Sequence, residues 1–286
     1  MEHSIPVQPF WLRVLQFPLS RILFLGGTLF YLMAVNNGYL EQYKGDPVRS
    51  LAVTIGTGLL AIAIYVGYGK FIERREVNEL SLPGMGREWA IGALIGAGLF
   101  SACVLILFIL GIYRIEGLNP WTFLIPAVAT DLSAGVFEEL VFRGVLFRSV
   151  EDLLGSWISV ALSSFVFGAV HLVNPEATLA GAVYVGIEAG LLLAAAYLVT
   201  RRLWISIGAH MAWNYSEGAI FSSVVSGGIN DPGLIRSSIE GPELLTGGSF
   251  GLESSVFALV LCTSAGLIMM IIAARRGHIV PPPWKR

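Results

Sequence analysis

The chain has 286 residues, of which 55% are hydrophobic and only 13% are charged, and its mean hydropathy is +0.72. This composition is typical of polytopic membrane proteins and unlike that of soluble globular proteins. The formal net charge is −2 and no basic stripe with interleaved aromatic residues occurs, so nucleic acid is not an expected partner. Cys103 and Cys262 lie in apolar segments, where we expect small buried hydrophobic side chains rather than a disulfide or a zinc site.

Apolar segments follow one another along the whole chain, and a helix needs about 20 such residues to cross a bilayer. The sequence therefore predicts an all-α protein, a polytopic membrane helix bundle with about eight transmembrane helices. The third segment is rich in glycine and alanine, which allows close packing of helices. The predicted spans are residues 19–35, 48–68, 89–113, 121–147, 157–172, 177–200, 203–225 and 254–274.

The basic residues orient this bundle. Eight spans with the N-terminus inside place thirteen of the seventeen Lys and Arg residues other than Arg143 on the cytoplasmic side. Because positive charge is retained in cytoplasmic loops, we predict a multi-pass integral membrane protein with both termini cytoplasmic. The four basic residues on the opposite side are Lys44, Arg49, Arg114 and Arg236.

The fourth span carries Glu138, Glu139 and Arg143 inside an otherwise apolar run. An ionised group at that depth costs roughly 2.5–3.5 kcal/mol, so such groups are functional candidates. In an α-helix Glu139 and Arg143 are i,i+4 neighbours that can form an ion pair. Glu138 points about 100° away and has no local partner, which leaves it available for chemistry. The alternative is that all three only lock helices together.

Polar side chains also stand out in two later spans. His171 lies near the end of the fifth span, and His210 and Asn214 lie one turn apart on one face of the seventh. Each histidine alone could be an interhelical hydrogen-bond partner. Together with Glu138 these groups supply a base for water, a proton carrier and donors to an oxyanion, which peptide hydrolysis needs. Counted along each helix, Glu138, His171 and His210 lie roughly 17, 21 and 9 Å above the cytoplasmic boundary. These depths differ widely, so the sequence alone does not show that the three side chains meet at one site.

The order Glu-Glu-x-x-x-Arg, Phe-x-x-x-His and His-x-x-x-Asn on successive membrane segments resembles the CPBP family. That family includes the type II CAAX prenyl endopeptidases and the bacterial Abi (bacteriocin self-immunity) proteins. The resemblance covers about residues 121–215. It implies that Glu138 activates a water with help from His171, that His210 and Asn214 form the oxyanion hole, and that Glu139 and Arg143 support them.

We accordingly divide the chain into three expected parts. Residues 1–120 hold the first three helices, residues 121–225 form the CAAX-protease-like core, and residues 226–286 contain a polar loop, the last helix and a cytoplasmic tail. No cofactor is expected. A zinc ion on Glu138, His171 and His210 stays open as an alternative, although no closely spaced ligand pair favours it.

The leading interpretation is an intramembrane endopeptidase with a glutamate-activated water. Its expected partners are membrane lipid and a peptide or membrane-anchored protein substrate, prenylated or not. One alternative is a non-catalytic membrane binding or immunity protein that uses the polar cluster to hold a peptide. Another is a proton-coupled transporter or channel in which Glu138, Asp131 and Glu188 form a relay. Glu188 belongs to no family motif and is also a candidate for a hydrogen bond in helix packing.

Overall fold

Helices follow the apolar segments throughout residues 8–229 and 231–285, the part of the chain that this computed structural model describes. The N-terminal half contains two short helices, then three long ones and one of ten residues. The later helices carry the site residues. The helices of the first half are α1 (Phe10–Gln16), α2 (Pro18–Arg21), α3 (Gly27–Gln42), α4 (Pro47–Gly67), α5 (Met85–Ile109) and α6 (Leu124–Ser133). Those that follow are α7 (Arg148–Leu154), α8 (Ser156–Val170), α9 (Leu179–Thr200), α10 (Trp204–Tyr215), α11 (Glu243–Thr246) and α12 (Val256–Arg275).

Six helical stretches among the described residues are long and apolar enough to cross a membrane. They coincide with predicted spans one to three, five, six and eight, which confirms a helical membrane bundle. The helix of the fourth span contains Asp131, Glu138, Glu139 and Arg143, and this charge lowers its hydropathy. The seventh runs only over residues 204–220. The count of eight therefore stays a prediction. The six stretches are Pro18–Gln42, Pro47–Ile72, Met85–Ile109, Ser156–Val173, Leu179–Thr200 and Val256–Arg275.

The helix that carries the glutamates is not a regular α-helix. After α6 it continues as two π-helical segments, Ala134–Glu138 and Leu140–Phe147, before α7 begins. The expectation of uniform α-helical spacing is therefore wrong here. The hydrophobic pattern does not distinguish i→i+4 from i→i+5 hydrogen bonding, and π-helical turns occur often at functional sites. Another π-helical segment, Ser216–Ile220, extends α10.

Two short strands were not predicted. Strand β1 (Tyr113–Leu118) pairs antiparallel with β2 (Ile235–Ile239), and the register shifts between Ile115 and Gly117. The sequence analysis assigned the start of β1 to the third span and β2 to the polar loop. Such short strands carry little periodic signal, and their pairing joins segments more than a hundred residues apart.

Helix α10 is held in place by very close contact with α5. A Cβ atom added at Gly96 would clash with the carbonyl of Ala209, and one added at Gly208 would clash with the carbonyl of Trp89. The two backbones therefore touch, as the glycine-rich third span predicted, and helices without side chains between them pack at short distance. This contact fixes the helix that presents His210 and Asn214. Cys103 and Cys262 are free and buried in the neighbouring apolar core, as predicted.

Candidate active site

Glu139 lies at the centre of a buried charged cluster. Its Oε1 accepts hydrogen bonds from Arg143 Nη1 at 2.8 Å and from His210 Nδ1 at 2.9 Å. The side chains of Glu139 and Arg143 are 0% and 1% exposed. The predicted Glu139–Arg143 ion pair is therefore present, and it persists in the π-helical backbone. Glu139 reaches further than predicted, because it also fixes the histidine of α10.

Glu138 is the less committed of the two carboxylates. Its Oε2 lies 3.8 Å from His210 Nε2, and its side chain is 21% exposed. That oxygen is buried and has no hydrogen-bond partner among the described residues. Glu139 Oε2 is also unpaired, but Glu139 is fully buried and paired with Arg143, whereas Glu138 is partly exposed and has no arginine partner. The separate roles of the two glutamates stay a prediction.

His171 is fixed by its own helix. Its Nδ1 lies 2.7 Å from the carbonyl oxygen of Phe167. A carbonyl only accepts, so Nδ1 must carry the proton, and the neutral ring then has its lone pair on Nε2. His171 is 8% exposed and lies at the start of the short 3₁₀ turn that follows α8. Its Nε2 can therefore accept a proton or orient a water.

The Phe167 ring joins the two histidines and the arginine. Its centroid lies 4.8 Å from that of His171 and 5.9 Å from that of His210. On the other side, the guanidinium carbon of Arg143 lies 4.6 Å from the ring centroid, which is a cation–π contact. In the sequence Phe167 served only to mark a motif, and its bridging position could not be inferred from spacing.

A narrow cavity of about 30 Å³ lies beside this ring. His171, His210 and Asn214 all line it, so the structure brings together His171 and His210, whose predicted depths differed. Counting depth along a helix assumes that all helices start at one plane, and the contacts through Phe167 show that α8 and α10 do not. The cavity has room for a water molecule, which needs about 10–15 Å³. Glu138 does not line the cavity and approaches it only through His210.

Three further carboxyl groups were not predicted as part of the site. Glu188 and Glu253 line the same cavity, and Glu217 lies next to it, sharing the indole N–H of Trp213 with Glu253. Glu188 Oε2 is buried without a hydrogen-bond partner among the described residues, so the role in helix packing considered for it finds no support there. An acidic residue inside an apolar segment was the available signal for Glu188 and Glu217.

The alternative of a zinc site requires three converging ligands. Over residues 8–229 and 231–285, no group of three or more His, Cys, Asp and Glu side chains is arranged to hold a metal ion. Nδ1 of His210 is engaged by Glu139, and Nδ1 of His171 by a backbone carbonyl. Nε2 of each ring is not engaged by these bonds, so the zinc alternative stays a prediction that metal removal tests.

The apolar helices define an integral membrane protein, and this cluster gives it a buried polar site. Residues 119–216 match the model of the family described as type II CAAX prenyl endopeptidase Rce1-like. The matched segment contains all six motif residues, and the match supports the likeness to the CAAX proteases of the CPBP family, which act on membrane-associated peptides and proteins. The comparisons found no match among curated proteins or solved structures.

Proposed function

We propose that this protein is an intramembrane endopeptidase in which Glu138 activates the attacking water. The observation that carries the proposal is the difference between two adjacent carboxylates. Glu139 Oε1 accepts from Arg143 and His210, and the whole Glu139 side chain is 0% exposed, with Oε2 buried and unpaired. Glu138 has no arginine partner, is 21% exposed, and keeps an unpaired oxygen 3.8 Å from His210 Nε2. A carboxylate sheltered from bulk water and without an arginine partner is suited to act as a general base.

Charge balance supports a protonated His210. Glu138, Glu139 and Arg143 together carry one excess negative charge when ionised, and an imidazolium at His210 makes the group neutral. A neutral group is the less costly arrangement at membrane depth. Because Nδ1 donates to Glu139, the second proton lies on Nε2, and His210 can then donate to an oxyanion.

The proposed reaction proceeds in two steps. Glu138 takes a proton from water while the water oxygen attacks the carbonyl carbon of the scissile bond, and His171 Nε2 orients that water. His210 Nε2–H and the Asn214 side-chain amide donate to the oxyanion of the tetrahedral intermediate; such a donor is worth about 10²–10³ in rate. The C–N bond then breaks, and the proton on Glu138 passes to the leaving amine.

The substrate class follows from the family match, because CAAX-type endopeptidases act on membrane-associated chains. We propose a peptide or membrane-anchored protein as substrate, prenylated or unprenylated, reached from the cytoplasmic side. Comparing the proteomes of membranes that contain wild type or Glu138→Gln should reveal a substrate that accumulates in the variant. Purified protein should then cleave a peptide that spans the identified site.

Separate substitutions of the two glutamates distinguish this proposal from a non-catalytic binding protein. Glu138→Ala should remove turnover while the protein stays folded, whereas a binding protein should retain its function in Glu138→Ala or in Glu139→Ala. A proton-coupled transporter instead predicts uptake into proteoliposomes driven by a pH gradient. Uptake without cleavage of any accumulated candidate would contradict the endopeptidase.

A further inference from the structure

Glu188, Glu217 and Glu253 form an acidic cluster that no family motif includes. They come from α9, from the π-helical extension of α10 and from the short 3₁₀ turn Leu252–Ser254 before α12. The three residues are 1%, 0% and 3% exposed. Three chain segments far apart in sequence thus bring carboxyl groups together in the apolar interior.

The acidic cluster lacks the cations that accompany other buried glutamates here. Glu139 and Glu151 each have an arginine partner within 2.8 Å, but no Lys or Arg in residues 8–229 and 231–285 pairs with the acidic cluster. Its hydrogen-bond donors are neutral. Trp213 Nε1 donates to Glu217 Oε2 at 3.2 Å and to Glu253 Oε2 at 3.3 Å, and Ser223 Oγ donates to Glu217 Oε1 at 3.3 Å.

The titratable groups that face the acidic cluster include no Lys or Arg among the described residues. Cys103 of α5 and Cys262 of α12 are its thiol neighbours. His171 and His210 line the shared cavity, and the charge of His210 is already paired with Glu139. Ionised carboxylates in such surroundings suffer both desolvation and mutual repulsion, so the neutral forms are favoured.

A second, independent observation indicates a ligand in the cavity. Glu188 Oε2 and Glu253 Oε1 are buried and have no hydrogen-bond partner among the described residues, although both side chains line the cavity with His210 and Asn214. An unpaired buried polar atom costs about 1–3 kcal/mol, so such atoms call for a partner. At about 30 Å³ the cavity is small, and any occupant lies close to all of its polar walls.

We propose that the acidic cluster holds protons, and that Glu188 thereby presents a neutral carboxyl group to the cavity as a hydrogen-bond donor to the carbonyl oxygen of a peptide substrate. This inference rests on the proposed endopeptidase function and adds a third donor beside His210 and Asn214. A carboxylic acid kept neutral by an apolar site can donate to an oxygen on which negative charge develops. Glu217 and Glu253 hold Trp213, which lies between the other two donors on α10.

The protonation state is tested without any substrate. Infrared spectra of the purified full-length protein in lipid are compared for wild type and Glu188→Gln, with Glu151→Gln as the matched control because Glu151 pairs with Arg201. We expect Glu188→Gln to lose intensity in the carbonyl stretch of protonated carboxyl groups, which shifts in D₂O, and Glu151→Gln to lose carboxylate intensity. Loss of carboxylate intensity in Glu188→Gln would overturn the proposal. If Glu188→Gln does not fold, Glu217→Gln gives the same test, because Glu217 is equally buried in the acidic cluster.

The donor role is tested by cleavage kinetics on a peptide substrate. Glu188→Leu removes the donor at similar volume, and we expect kcat to fall about 10-fold or more with little change in KM, as for loss of an oxyanion donor. Glu188→Gln restores a neutral N–H donor and should recover most of that loss. Full activity in Glu188→Leu, or Glu188→Gln as inactive as Glu188→Leu, would refute the donor role. The infrared result stands even if wild type cleaves no peptide, so failure of the endopeptidase function is distinguished from failure of this inference.

Discussion

Two buried charged regions of the molecule are built on opposite principles. At one end of the helix that carries the motif, Arg148 meets Glu73 and Glu79, and each of these glutamates has a further arginine. We call this group the helix-end network. Its members are Arg21, Glu73, Arg75, Glu79 and Arg148. Deeper in the bundle, Glu138, Glu139, Arg143 and His210 form the site cluster, with an arginine for only one of its glutamates.

The difference distinguishes charged groups that stabilise the fold from charged groups that remain available for chemistry. In the helix-end network Glu73 contacts Arg21 at 2.8 Å, Arg75 at 2.8 Å and Arg148 at 3.2 Å, so its oxygens are saturated. In the site cluster Glu138 Oε2 has no hydrogen-bond partner within the described residues. A saturated carboxylate gains nothing further from binding a proton or a water, whereas an unsaturated one can bind either.

The largest effect should come from removing the unsaturated carboxylate. Glu138→Gln keeps the shape of the side chain and removes its basicity, so we expect turnover to fall by about 10²–10⁴ while thermal stability changes little. Peptide cleavage and the unfolding temperature of the purified variant measure the two effects. Glu240→Gln is the control, since it makes the same chemical change at an exposed side chain outside the cavity lining. An active Glu138→Gln protein would make Glu139 the next candidate for the base.

The site cluster should be more sensitive than the helix-end network to loss of one arginine. Arg143→Ala leaves Glu139 without its arginine, and breaking a buried pair in this way costs about 3–5 kcal/mol. Arg148→Ala should cost less, because Glu73 and Glu79 keep Arg21 and Arg75. Thermal unfolding and expression level of the two variants provide the comparison. A stable, well-expressed and fully active Arg143→Ala protein would contradict the structural role of the pair.

Sequence reasoning succeeded where the interacting residues are close in the chain. The Glu139–Arg143 pair followed from i,i+4 spacing, and it is present although the backbone there is largely π-helical. The acidic cluster could not be found in this way, because Glu188 and Glu253 are 65 positions apart and meet only when α9 and α12 pack. The same limit applies to β1 and β2 and to the Phe167 bridge. The six membrane-spanning stretches were predictable because hydropathy over about 20 residues is a local property.

Acid should weaken the helix-end network. Burial alone would raise the pKa of Glu73, but the guanidinium groups of Arg148, Arg21 and Arg75 outweigh it and hold that pKa below the ordinary value. Burial likewise opposes the lowering at Glu79, yet its hydrogen bond from Arg75 and the charge of Arg148 lower the pKa of this carboxyl too. A carboxyl group whose pKa is lower in the folded protein than in the unfolded chain stabilises the folded protein above the unfolded-chain pKa, which is about 4.3 for Glu. This stabilisation is lost as the pH falls below that value.

The measurement is the unfolding temperature between neutral pH and pH 3. Wild type should lose stability below about pH 4.3. Glu73→Gln should show a smaller loss, because the stabilisation that the Glu73 carboxylate provides is absent from this variant at every pH. Glu240→Gln is the matched control, since Glu240 makes only an exposed contact of 3.6 Å with Arg114. Equal acid sensitivity of wild type and Glu73→Gln would show that the helix-end network does not set this limit.

The smallest expected effect is that of metal removal. The described residues contain no three-ligand group, and the proposed reaction uses only protein side chains, namely Glu138, His171, His210 and Asn214. We therefore expect peptide cleavage to survive treatment with a strong chelator, with no stoichiometric metal found by elemental analysis. A Glu138→Gln sample treated in the same way sets the background rate. Stoichiometric zinc, with activity lost on chelation and restored by zinc, would overturn the glutamate mechanism. It would also mean that the unpaired oxygen of Glu138 serves to bind a metal cation rather than to accept a proton.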